Sequence, residues 1–325
     1  MRYSFNETEL TVVVTRRTAV TDEIIQLELR NLDGSDLPAW DPGSHIELIL
    51  SESMVRQYSL CGDPDDRSRW TIAVLREVDG RGGSQRIHDV LQENSNVLIR
   101  GPRNLFPLRL SRNYIFIAGG IGITPMLPMI SAAIKSGARW SLHYGGRSRQ
   151  SMAFAEQLSM TAGTLAHADV RLYPQNEVGF IDLDSALKEP NSETLIYCCG
   201  PEPLLSAVED RCQSSWPSES LCVERFSPRT FDESPVETTF EVELMQSGKT
   251  IVVIPGQSIL DAVEQAGVPV LSSCMEGTCA SCEVAVLDGI PDHRDSVLSE
   301  RERESNKTMM ICVSRASSSR LAIDL

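Results

Sequence analysis

No run of about 18 consecutive apolar residues occurs in this sequence of 325 residues. No segment is therefore built to cross a bilayer as a helix, and no membrane partner is expected. The first ten residues, MRYSFNETEL, hold no apolar core of signal-peptide length. Positive charge is scarce too: 30 Lys and Arg stand against 45 Asp and Glu, a formal net charge of -15. Phosphate backbones are held by clustered cations, so no nucleic-acid partner is expected. An acidic surface suits solubility, or docking onto a basic patch of a partner protein. Histidine occurs only five times, with no HExxH or other paired-ligand spacing and no Ser–His–Asp set. Internal repeats are absent as well.

What is present is the composition of a globular chain, 41% hydrophobic and 23% charged, long enough for two or three domains. Nine cysteines without an export signal read as thiols or metal ligands, which places the protein in the cytoplasm. The first hundred residues form short alternating runs: 11–14, 24–29, 45–50, 57–60, 70–75 and 97–100. Turn signals between them predict an antiparallel β-barrel. From Asn113 the pattern changes to strand and helix in alternation, with strands at 114–118, 140–144, 169–173, 194–198 and 221–224. Helical stretches at 126–135, 150–160, 182–188 and 201–213 fall between them, and a parallel, doubly wound sheet follows. Residues 227–237, SPRTFDESPVE, read as a linker. Beyond it a hairpin at 239–254, a helix at 258–266 and short strands ending in LAIDL form a separate small domain. The expected division is 1–110, 111–226, the linker 227–237, and 238–325.

The densest chemical signal is SSCMEGTCASC, which places Cys274, Cys279 and Cys282 at C-x4-C-x2-C. Cys312, in the strand-like run Met309–Val313, follows Cys282 after 29 intervening residues. This is the plant-type spacing for a [2Fe–2S] cluster, and soft thiolates suit iron in both oxidation states. Small residues between the cysteines let backbone N–H groups face the sulfurs, which favours the reduced cluster. The alternative is a four-cysteine zinc site, but zinc knuckles bring two C-x2–4-C pairs rather than a triplet and one distant thiol. The other five cysteines, 61, 198, 199, 212 and 222, read as small buried hydrophobes, with Cys199 a partial exception because of its glycine corner.

Two glycine corners end strands of the expected parallel sheet. Gly119-Gly-Ile-Gly-Ile-Thr-Pro125 opens a helix, and Tyr197-Cys-Cys-Gly-Pro201 precedes another. Glycine lets backbone approach a pyrophosphate closely, and a helix start offers N–H groups to it. The first corner is not a full G-x-G-x-x-G, since Pro125 stands at the third glycine. No acid follows at the usual distance either, because the next strand runs into Tyr144-Gly-Gly-Arg147. In the first segment, Arg56-Gln-Tyr-Ser-Leu60 reads as an amphipathic barrel strand or as a flavin site. In the second reading Arg56 serves the phosphate, Tyr58 the ring face and Ser59 the ring N5. Gly80-Arg-Gly-Gly-Ser84, before a helical run, adds a second anion cradle.

In this order RQYSL, GRGGS, GGIGITPM, YCCGP, C-x4-C-x2-C and MICVSRA…LAIDL resemble the phthalate dioxygenase reductase family over almost the whole chain. The resemblance implies a multidomain protein: an FMN-binding antiparallel β-barrel, an NAD-binding doubly wound α/β domain and a β-grasp ferredoxin domain. It assigns Arg56, Tyr58 and Ser59 to FMN, and Arg81, Gly82, Gly83 and Ser84 to its phosphate. Gly120, Thr124, Cys199, Gly200 and Pro201 would shape the nicotinamide pocket, Ser59, Thr124 and Cys199 would flank the hydride path, and Phe226 would lie near the flavin. Ala280 stands where relatives usually carry glycine. Arg147 and Arg149 stand where a 2′-phosphate could sit, which leaves NADPH open beside NADH.

Taken together, the three sites form a converter from a two-electron donor to a one-electron acceptor. Plant-type clusters lie near roughly −400 mV, which makes a strongly reducing donor. The expected partner is a terminal oxygenase of Rieske type, with aromatic catabolism as the setting. A diiron or P450 monooxygenase partner, or a non-enzymatic redox sensor, are the alternatives.

Overall fold

Alternating burial along six strands builds the first sheet. They are β1 (Glu9–Ala19), β2 (Ile24–Asn31), β3 (Ser44–Ser51), β4 (Met54–Ser59), β5 (Trp70–Leu75) and β6 (Asn96–Asn104), with helix α1 (Gly83–Val90) between the last two. The computed structural model describes residues 8–51, 54–229 and 237–325; residues 230–236 of the expected linker lie outside the described residues. All pairings in this sheet are antiparallel, in the order β4-β3-β6-β1-β2-β5. The edges meet where Leu60, just past β4, bridges Ile72 of β5. Val12, Val14, Leu27, Leu29, Ile46, Leu48, Trp70 and Ile72 fill the interior. Each such burial contributes about 1.5–3 kcal/mol.

A continuous apolar run explains the second sheet. In β7 (Asn113–Gly119), Phe116 and Ala118 face one core while Ile117 faces another. In β10 (Thr194–Cys199), Tyr197 and Cys199 face the first core, and Ile196 and Cys198 the second. A strand buried on both faces belongs in a parallel sheet. The other strands are β8 (Arg139–Gly146), β9 (Ala168–Pro174) and β11 (Leu221–Glu224), in the order β11-β10-β7-β8-β9. Every pairing is parallel. Helices α2 (Met126–Ser136), α3 (Ala155–Gly163), α4 (Gln175–Val178), α5 (Leu183–Ala186) and α6 (Glu202–Gln213) connect them. Both sheets fall in one compact unit, Met1–Glu224. They meet at an apolar cluster in which Ile24, Cys61 and Ala73 of the barrel side pack with Ala153, Ile121 and Phe154.

The second unit is Arg225–Leu325. Its mixed sheet runs β13-β12-β18-β14-β16, built from β12 (Phe240–Leu244), β13 (Lys249–Val253), β14 (Glu283–Asp288), β16 (Thr308–Met310) and β18 (Arg320–Ile323). Strands β15 (Pro291–Asp292) and β17 (Arg315–Ala316) form a small separate pair. Helix α7 (Ile259–Gln265) buries Ile259, Leu260, Ala262 and Val263. Its start is fixed by a reciprocal pair, Ser258 Oγ accepting from the Asp261 N–H and the Asp261 carboxylate accepting from the Ser258 N–H. A short helix, α8 (Glu300–Ser305), completes the unit. Among the described residues no helix is long and apolar enough to cross a membrane.

Candidate active site and metal centre

Strand β4 carries three of the expected flavin residues. Its register sets Tyr58 opposite Ile46 and Ser59 opposite His45 on β3. The Arg56 guanidinium leaves the strand and donates to the Arg81 carbonyl at 3.0 Å. It lies across Gly83, where a Cβ would stand 2.4 Å from Arg56 Nε. The fold thus brings the RQYS strand onto the GRGGS loop, and only glycine permits it. Gly82, at φ +76, is the N-cap of α1, and the Ser84 hydroxyl accepts from the Glu77 N–H at 3.1 Å. The Tyr58 phenol is pushed up by burial. Ser59 is buried, and its Oγ is enclosed with no hydrogen-bond partner among the described residues. An orphaned buried hydroxyl is uncommon, and it fits a wall that faces a polar cofactor such as FMN.

The two glycine corners abut, backbone against backbone. A Cβ on Gly122 would lie 2.3 Å from the Cys199 carbonyl oxygen, and one on Gly200 3.0 Å from Gly119 Cα. A Cβ on Gly119 would meet Pro201 Cδ at 2.6 Å. Gly120 at φ +55 has nothing within 4 Å of its Cβ position, so its outer side is open. The corner is a 3-10 turn, Gly120–Ile123, rather than the direct start of α2. Thr124 is buried and its hydroxyl donates to the Ile121 carbonyl at 3.0 Å. Cys61, two residues beyond Ser59, packs in the same cluster as Ile121, so the RQYS strand and this corner converge.

Sequence reasoning passed over one residue here. Glu224 ends β11 directly beside Cys199 in the register. Its Oε2 is enclosed without a partner among the described residues, and burial pushes the carboxyl up to about 8. The Cys199 thiol is raised by burial and then by the Glu224 carboxyl. It is a neutral packing group and not a nucleophile. The only signal for Glu224 was an acid closing an apolar strand. Phe226 falls past the boundary of the first unit, with its ring 44% exposed.

In the second unit Cys274, Cys279, Cys282 and Cys312 are all buried. Cys312 sits in the turn after β16, not in a strand to Val313 as the sequence suggested, because the strand ends at Met310. The cluster loop turns through left-handed φ at Met275, Gly277 and Ala280. Cys274 Sγ accepts from the N–H groups of Glu276 and Thr278 at 3.3 and 3.4 Å, and Cys279 Sγ from that of Ser281 at 3.5 Å. Gly277 is pinned by its carbonyl to the Ser296 N–H at 2.8 Å, and a Cβ there would meet Val313 at 2.6 Å. No three His, Cys, Asp or Glu side chains among the described residues are arranged for a single metal ion. The four free thiols instead neighbour one another, Cys274 beside Cys279 and Cys312, and Cys282 beside Cys312. Four soft donors in neighbouring pairs fit a two-iron cluster.

At the far edge of the parallel sheet, neither arginine of the Tyr144–Arg149 segment stands alone. Arg147 pairs with Glu23, and Arg149 Nε donates to the Glu177 carboxylate at 2.9 Å.

Comparison with known proteins accords with this layout. The 2Fe-2S iron-sulfur cluster binding domain family matches residues 242–317, and the oxidoreductase NAD-binding domain family matches residues 116–210. Phenoxybenzoate dioxygenase subunit beta of Ectopseudomonas oleovorans is 40% identical, over 94% of this chain and 93% of its own. The solved structure of phthalate dioxygenase reductase, a modular protein for electron transfer from pyridine nucleotides to [2Fe-2S], superposes with a TM-score of 0.69 at 34% identity, covering 98% of each chain. An intact type IV self-sufficient cytochrome P450 monooxygenase superposes with a TM-score of 0.89 at 42% identity, and this chain spans 41% of that longer one. The chain belongs to the phthalate dioxygenase reductase family, NADH-dependent oxidoreductases that carry FMN and a [2Fe–2S] cluster.

Proposed function

We propose that this chain is the reductase component of a Rieske-type oxygenase system, drawing electrons from NADH and delivering them singly to a terminal oxygenase. The observation that carries the reading is the union, in one chain, of two abutting glycine corners and four buried, free thiols at plant-type spacing. Bound FMN supplies the conversion between a hydride donor and a one-electron acceptor. The protein's share is positioning. Arg56, with Arg81, Gly82, Gly83 and Ser84, surrounds the flavin phosphate, and Tyr58 covers the ring. The orphaned Ser59 hydroxyl is a hydrogen bond waiting for a ring nitrogen, with Thr124 near it. Gly120, Cys199, Gly200 and Pro201 shape the nicotinamide pocket, where bare backbone leaves the ring room to lie flat. Cys274, Cys279, Cys282 and Cys312 hold the cluster.

Relatives named as a dioxygenase subunit, a monooxygenase reductase subunit and a dioxygenase reductase, matched over nearly their full length, support an oxygenase partner. Arg147 and Arg149, the cations within reach of a 2′-phosphate, are engaged by Glu23 and Glu177 in exposed pairs that weigh only slightly toward NADH. A second reading, electron supply to a P450, is favoured by the 42% identity to the P450 chain. The test is reconstitution of the purified protein with a panel of Rieske oxygenases and of P450s, using NADH and NADPH in turn. Product with a Rieske member and NADH is expected. Turnover confined to a P450 would replace the first reading by the second, and failure of either coenzyme to bleach the flavin would sink both.

A further inference from the structure

Tyr144 is the last aromatic of β8 and is fully buried. Its hydroxyl donates to the Gly120 carbonyl at 3.1 Å. The backbone N–H of Ala153 lies against the same Tyr144 oxygen. One side-chain atom therefore ties two loops that are far apart in sequence. The first is the Gly120–Ile123 turn after β7. The second is the segment after β8, which folds back through a reciprocal Ser148–Ser151 pair, buries Met152 and Ala153, and turns through left-handed Phe154. Gly146 is bare so that Met152 can lie there, since a Cβ would meet Met152 Cγ at 2.4 Å. Ile121 and Ala153 also share one apolar cluster with the barrel.

Where these loops lie gives the tie its meaning. The strand order places β8 and β9 on one side of β7 and β10 and β11 on the other, so the order reverses between β7 and β10. Ligands of such sheets bind beyond the carboxyl ends of the strands at that reversal. A dinucleotide seated there puts its nicotinamide half at the Gly120 turn and runs its adenosine half across the end of β8. We propose that Tyr144 is a positioning residue for the coenzyme: its hydroxyl holds the nicotinamide loop and the adenosine loop in register, so that both halves of NADH engage at once. The proposal rests on the NADH reading above and adds the residue that couples the two halves. In physical terms the gain is one of effective concentration. With both loops fixed, binding of one half presents the other to a site already formed.

Tyr144→Phe keeps the ring and removes the hydroxyl that meets both loops, leaving the Gly120 carbonyl without its side-chain donor. The test compares NADH with reduced nicotinamide mononucleotide, which lacks the adenosine half, with ferricyanide as acceptor and the flavin- and cluster-loaded chain as enzyme. The variant is expected to lose about tenfold in kcat/KM for NADH, the scale of one buried hydrogen bond left unmade. The loss should come through KM, with kcat and the mononucleotide's kcat/KM each within about twofold of the parent. Equal losses with both donors would reduce Tyr144 to a local support of the turn and overturn the proposal. So would unchanged NADH kinetics, or a variant that no longer retains FMN. A parent protein that oxidises neither donor would instead remove the coenzyme reading itself, and the brace with it.

Discussion

Glu224 is a carboxyl that burial pushes up from 4.5 to about 8, so at pH 7 it is protonated. A folded value above the unfolded one means that the folded state retains a proton the unfolded state gives up. The associated stability is present below about 4.5 and is lost as the pH rises through about 8. Above that point an unsolvated charge would stand beside the Cys199 thiol at the corner assigned to nicotinamide. The expected outcome is a kcat/KM for NADH that declines as the pH passes about 8. Glu224→Gln should be active at pH 7 and show no such limb; an unchanged limb would move the titration to another group. At this scale the sequence announces residues whose identity is their function. Four cysteines at fixed spacing are such a case, and so is Ala280, whose φ of +57 explains why glycine suits that position. It is silent about Glu224 and Tyr144, whose roles come from enclosure and from the neighbours that folding supplies.

The abutting glycine corners belong to the scale of the element, since each ends a strand and each fits only because the other lacks a side chain. Gly122→Ala would place a methyl group 2.3 Å from the Cys199 carbonyl oxygen and 2.8 Å from the Gly200 nitrogen, both backbone atoms that cannot swing aside. The corners must separate, and the pocket between them opens or collapses. NADH-dependent flavin reduction is expected to fall at least tenfold, while flavin and cluster absorbance stay at parent levels; near-normal reduction by NADH would show that the contact does not shape the coenzyme site. Strands were legible here because β-barrel alternation and the two-sided burial of β7 and β10 write themselves into the residue order. Ends were less so. Strand β1 extends on to Ala19 through a register shift between Val14 and Arg16, beyond the apolar run at 11–14. The strand expected through Val313 stops at Met310, because Cys312 must turn toward the other thiols.

For the whole molecule, the division into Met1–Glu224 and Arg225–Leu325 separates the RQYS strand and the glycine corners from the thiol loop. Each unit buries its own core, so damage to one should spare the other. Cys312→Ser removes one of four thiolates and is expected to abolish cluster absorbance and delivery to cytochrome c. NADH–ferricyanide activity should be retained within about twofold, and loss of both activities would show that the units do not fold independently. Composition suggests a boundary at the Pro-, Ser- and acid-rich stretch 227–237, and the contacts divide the chain after Glu224. The first 224 residues hold two sheets in one unit, and the reason is the small cluster of Ile24, Cys61, Ala73 and Ala153 between them. Around it stand charged pairs, Lys135 with Asp63 and Asp65, and Arg147 with Glu23. Such exposed pairs are worth about 0–1 kcal/mol each and fade as salt screens them. The apolar contacts behave in the opposite sense, untouched by moderate salt yet weaker in the cold. Barrel and coenzyme sheet are thus fastened by something closer to a warm seal than to a latch: brine loosens its rim, and only chilling reaches its centre.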